Sequence, residues 1–170
     1  MRSGMSFALI AAIAAATGAP VLAGEKASPE FDHIKALAGE WEGTARGSGA
    51  EGSKPTVASI RVVSAGSAVM LVTDPGSPHE MVTMFHRDDA ALIATHYCSA
   101  MNQPRLRARP AKDATRIAFE FADGTNLGAH PAHMQGLVLT MADTDHHVEE
   151  WTFQDGATRQ TMVFDLRRKK

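Results

Sequence analysis

One cysteine and one tyrosine are all that this 170-residue chain has of either. A lone cysteine can neither close an internal disulfide nor supply the thiolate set of a structural zinc site, so packing alone must hold the fold. Basic residues are in no excess. Seventeen Lys and Arg stand against 19 Asp and Glu, a formal net charge of −2, which argues against a nucleic-acid-binding face. No apolar run reaches the roughly twenty residues of a membrane anchor, because Thr17, Gly18 and Pro20 interrupt the longest one. G-x-S-x-G, Walker A and His-Glu-x-x-His are also missing, and with them the commonest hydrolase, NTPase and zinc-protease signatures. Gly47-Ser48-Gly49-Ala50-Glu51-Gly52 fits G-x-G-x-x-G by letter. A dinucleotide site needs a helix to begin there; Ser53-Lys54-Pro55-Thr56 follows instead, and the stretch reads as a hairpin loop.

What is present begins with a leader. Arg2 supplies a positive n-region, Phe7 to Ala16 a short apolar h-region, and Val21-Leu22-Ala23 small residues at the cleavage positions. The expectation is a signal peptide over 1–23, cleavage after Ala23, and one domain over 24–170 in the periplasm or outside the cell. Its size suffices for a real core.

Ser28 is placed to cap a short helix with Pro29 at its first position. Phe31, Ile34 and Leu37 then share one face, and Gly39 ends the segment. Everything after Gly39 reads as strand and turn. Ile117 to Phe121 and Met162 to Leu166 alternate cleanly. Weaker alternation covers Trp41–Arg46, Val57–Val63, Ala68–Thr73, Met81–His86, Leu92–Cys98, Arg105–Arg109, Leu137–Met141 and Val148–Phe153. Turn chemistry separates these runs, including Asp88-Asp89, Asp123-Gly124 and Asp155-Gly156. No helix-length pattern lies between strands, so parallel crossovers are excluded. About ten short antiparallel strands in a meander are best closed into a barrel, which removes exposed edges, with the helix plugging one end.

Gly39-Glu40-Trp41-Glu42-Gly43, after an amphipathic turn and at the start of the first strand, resembles the Gly-x-Trp opening of lipocalin-like (calycin) barrels; its second glycine resembles the nitrobindin branch. His96-Tyr97-Cys98 with Asn102-Gln103-Pro104-Arg105, Asn126-Leu127 and His133-Met134 is similar to a family of secreted bacterial barrels of unassigned function. The resemblance implies a calycin-like barrel whose floor is closed by Trp41. Nitrobindins hold haem through a histidine near the C-terminal strands. Here Asp165-Leu166-Arg167 occupies the last strand and no histidine follows His147.

The densest set of polar groups runs from His96 to Arg105. With a period of two, His96 and Cys98 share a face with Leu92 and Ala94. Pointing inward, they bring an imidazole and a thiol together, for a metal or for mutual activation; the plainer reading packs both in the core. Asn102 and Gln103 either line the mouth or satisfy loop backbone. Arg105, Arg107 and Arg109 form one strand face, ordinarily solvated, from which Arg105 can reach a ligand anion. Pro131 excludes a helical ligand pair at His130 and His133, and adjacent His146 and His147 point to opposite faces. A site drawing on His96, His133 and Glu149 across strands stays open. So does the meaning of Met70, Met81, Met84, Met101, Met134, Met141 and Met162, which suit a core or a tolerant pocket alike. The basic end, Arg167 to Lys170, reads as a solvated terminus.

The function expected is non-catalytic binding of a small, apolar or amphipathic molecule, with no cofactor strongly implied, by a monomer or weak dimer without a membrane anchor. Trp41 forms the floor; His96, Asn102, Gln103, Arg105, Asn126 and His133 supply polar contacts near the mouth. The alternatives are a metal- or haem-dependent protein using His96 with Cys98 or His133, and an envelope interaction scaffold without a small ligand. Intact-mass analysis of the exported chain is expected to place its first residue at Gly24; a retained Met1 counts against the leader.

Overall fold

The computed structural model describes residues 28–110 and 112–170; the expected signal peptide and cleavage after Ala23 lie outside them. Helix α1 spans Pro29–Ala36, with the Phe31 amide donating to Ser28 Oγ at 3.4 Å and Pro29 in the first turn. Its apolar face, Phe31 and Ile34, continues into the C-cap Leu37, and all three are buried. Among the described residues no helix is long and apolar enough to cross a membrane.

Ten strands follow: β1 (Gly39–Gly47), β2 (Lys54–Val63), β3 (Ala68–Thr73), β4 (Met81–Asp88), β5 (Ala91–Tyr97), β6 (Gln103–Ala108), β7 (Arg116–Thr125), β8 (His133–Asp143), β9 (His146–Asp155) and β10 (Thr158–Arg168). Each pairs antiparallel with its sequence neighbours, and β1 also pairs with β10, closing the barrel. All ten expected runs are strands, and the architecture is consistent with a calycin-like fold. The odd-to-even hairpins (β1–β2, β3–β4, β5–β6, β7–β8, β9–β10) gather at one end, the mouth. Helix α1 and the chain's last residues lie at the other, the floor.

Closure depends on close approach at the seam. Gly43 lies opposite Leu166, and a Cβ built on it would stand 1.9 Å from the Asp165 carbonyl oxygen. Trp41 is buried at the floor, its Nε1–H donating to the Leu37 carbonyl at 2.8 Å. Over its ring, at 4.4 Å, lies the Arg168 guanidinium. Arg168 also donates to the Ala38 (2.7 Å) and Ala36 (3.2 Å) carbonyls after and within α1, and to the Thr144 carbonyl (2.7 Å) and Asp145 carboxylate (2.9 Å) of the β8–β9 turn. The basic end is therefore not a plain solvated terminus. Arg168 closes β10 and ties the helix, the floor tryptophan and a hairpin turn together.

Asp123-Gly124 is not a turn either. Strand β7 runs through it to Thr125, and the register against β6 shifts between Arg105 and Leu106. An irregular pairing of this kind uses the same Asp-Gly chemistry as a turn. The chain reverses later, at Asn126, whose φ is +61°.

Gly43→Ala is expected to lower unfolding free energy by about 1–3 kcal/mol through overpacking against the seam. Gly128→Ala, with open space around it, is the matched control. Urea melts of both variants test this, and equal midpoints would count against the seam as a steric constraint.

Candidate functional site

Strand β9 carries the interior chemistry. Its alternation places His147, Glu149 and Trp151 inward, all at most 3% exposed. Glu149 accepts from both neighbours on its own face: His147 Nε2 lies 3.1 Å from Oε1, and Trp151 Nε1–H donates to Oε2 at 2.9 Å. The carboxylate is thus fixed by two charge-assisted bonds in a site without solvent, where an unpaired ion would cost several kcal/mol. Toward the floor, the His147 ring meets Trp41 edge-on, centroids 4.3 Å apart. On the mouth side His96, projecting inward from β5, lies against Trp151 with centroids at 4.8 Å. Its Nδ1 shares a 2.9 Å hydrogen bond with Thr83 Oγ1 from the neighbouring strand β4. A column of polar and aromatic groups therefore crosses the core from Trp41 to Thr83.

Among the described residues, three buried side-chain atoms lack a hydrogen-bond partner: His96 Nε2, His147 Nδ1 and Asn102 Oδ1. A buried polar atom left without a hydrogen bond costs about 1–3 kcal/mol. The surrounding apolar shell differs between the two ends. Leu37, Ile60, Ile117 and Leu166 on the floor side are buried; of the five partly buried apolar residues packed on the core, Ala45, Phe121, Phe153 and Met162 lie on the mouth halves of their strands and Ala108 at the floor end.

The residues expected at the mouth separate on this geometry. Asn102 is fully buried rather than rim-exposed; its amide donates both hydrogens, to the His130 and Ala132 carbonyls at 2.7 Å each, and holds the β7–β8 connection down. Asn126 is exposed and donates to the Met101 carbonyl, a second tie between the same loops. Gln103 is half-buried and accepts from Thr125 Oγ1 at 2.6 Å. Arg105 lies outside the wall, its guanidinium paired with both oxygens of Asp123. Arg107 and Arg109 likewise face out, toward Asp88 and Glu120. His133 is half-buried against Phe121, with Nδ1 at the Pro131 carbonyl and Nε2 at Gln135. His96 and Asn102 alone of these keep a buried atom without a partner.

Cys98 follows β5 and is half-buried, its amide donating to the Asn102 carbonyl. Burial holds its thiol above the ordinary value, against a smaller opposing effect of a backbone hydrogen bond at Ala100, so the reactive thiolate is disfavoured. Among the described residues no three His, Cys, Asp or Glu side chains gather as a metal site. The C-terminal histidines do not fit a haem ligand either. His146 bonds Asp165 on the outer face, and His147 is confined between Glu149 and Trp41. The widest concavity described, about 800 Å3, opens outside at the floor end beside Ser28, Asp88, Leu92 and Arg107, away from the interior column.

Sequence reasoning missed His147 and Trp151 as partners of Glu149, although their shared parity was available. The meeting of His96 with Trp151 across the barrel carries no signal along the chain. No family model matches this chain, and no curated protein matches it by sequence.

Burial lowers the pKa of His96 to about 4, against a smaller raising effect of the Glu149 charge. The unfolded chain, with an imidazole near the ordinary value of about 6.5, binds more protons between those limits. Stability from this residue is therefore complete above about pH 6.5 and falls as pH drops toward 4, by roughly 3 kcal/mol at most. Urea melts across that window are expected to show a shallower pH dependence for His96→Gln than for the native chain; parallel profiles would refute this.

Proposed function

We propose that this chain is an exported barrel that binds a small, partly apolar ligand in the mouth-side half of its interior and performs no reaction on it. The observation that carries this reading is His96 Nε2, a fully buried hydrogen-bonding atom without a partner, set below the partly exposed apolar side chains Phe121, Phe153 and Met162. A polar anchor at depth beneath an apolar collar is the general pattern of a small-molecule site. His96 itself is held rigidly by Thr83 and Trp151, which suits an anchor that must keep one orientation. Asn102 and Asn126 serve the site by pinning the two loops at its mouth, and Arg105 strengthens the outer wall. The leader and the calycin-like opening around Trp41 support an exported binding protein of this type.

Native mass spectrometry of the protein recovered from the periplasm is expected to show a species heavier than the apo chain by one small molecule. In vitro, N-phenyl-1-naphthylamine, a neutral amphipathic fluorophore, should bind saturably and quench Trp151. His96→Phe should weaken that binding by about tenfold, the effect of one lost hydrogen bond. An apo mass only, together with non-saturable fluorescence, would overturn the proposal.

A further inference from the structure

The ionisable side chains buried in the core are Glu149, His147 and His96. Arg105, expected to reach a ligand anion, stands outside the wall with Asp123 on it, and Arg107 and Arg109 face out beside it toward Asp88 and Glu120. Arg168 lies at the floor and is committed to Trp41, three carbonyls and Asp145. His147 is engaged by Glu149. Among the described residues no lysine or arginine is buried in the core. The field of Glu149 extends to His96, because it is the interaction that opposes the effect of burial there. The His96 ring shares its Nδ1 with Thr83 Oγ1 at the wall, which turns Nε2 to the interior without a partner.

From this arrangement we infer that the interior site selects ligands whose polar head is a neutral or cationic hydrogen-bonding group, such as a hydroxyl or an amine, and excludes anionic heads such as carboxylates and phosphates. The inference rests on the binding function proposed above and specifies its ligand class. Such a head can hydrogen-bond His96 Nε2, and a cationic one sits favourably in the potential of Glu149. An anionic head meets no cation there and would lose its hydration without replacement. The apolar collar of Phe121, Phe153 and Met162 would take the tail in either case, so the head decides.

The test is displacement of N-phenyl-1-naphthylamine from the native protein near neutral pH by three compounds with the same tail: decylamine, 1-decanol and decanoate. Decylamine and 1-decanol are expected to displace the probe, and decanoate to be weaker by about tenfold or more. Glu149→Gln is expected to narrow the gap between decylamine and decanoate, because it removes the buried charge while keeping a hydrogen-bonding group of the same shape. Decanoate binding as well as or better than the amine would overturn the inference while leaving the binding reading intact. Failure of the probe and all three compounds to bind would overturn both. The comparison among ligands uses the native chain alone, so it stands even if Glu149→Gln does not fold.

Discussion

Everything inside this protein depends on the pairing of its first strand with its last. Until β1 lies against β10 there is a curved sheet with two open edges; afterwards there is an interior. The seam is unforgiving at Gly43, where the Asp165 carbonyl takes the space that a side chain would need. Trp41, two residues earlier, can then be covered by the helix on one side and by Arg168 on the other. The floor is a consequence of the seam, and the polar column above it is a consequence of the floor.

That column is costly for a core of this size. A hydrophobic replacement of a buried ion pair is often neutral or stabilising, so a pairing such as His147 with Glu149 is weak evidence for stability as such. Its geometry is nevertheless well made. Each Glu149 oxygen has its own donor from the same strand face, and both flanking rings are held in turn by aromatic neighbours. The rigidity ends at His96 Nε2, where a fully supported side chain points one unused valence at the half of the barrel with the looser apolar lining. Support on every side but one is the arrangement expected of a group kept for something that comes and goes.

Much of the architecture was legible along the chain because period-two alternation is a local property. Ile117 to Phe121 shows its face in five residues, and Ser28-Pro29 marks a helix start without reference to anything distant. The errors have a common physical origin. Asp123-Gly124 has turn chemistry, yet irregular pairing against β6 absorbs it inside a strand. Asn102 looked like a rim residue because its burial depends on the backbone of residues 130–132, brought over it only by the closed barrel. Arg168 was hidden in a basic run whose composition resembles any solvated terminus. His147, Glu149 and Trp151 could be grouped by parity, but their contact with His96 crosses the barrel and requires its width to be known.

Arg168 also sets a timetable. The carbonyls it gathers belong to Ala36 and Ala38, ahead of the first strand, whereas the guanidinium belongs to the tenth. All ten strands must therefore be made before the barrel can shut. Until then β1 and whichever strand was made last remain as bare sheet edges, open to chaperones, to other chains, or to a machine that handles only unfolded substrates.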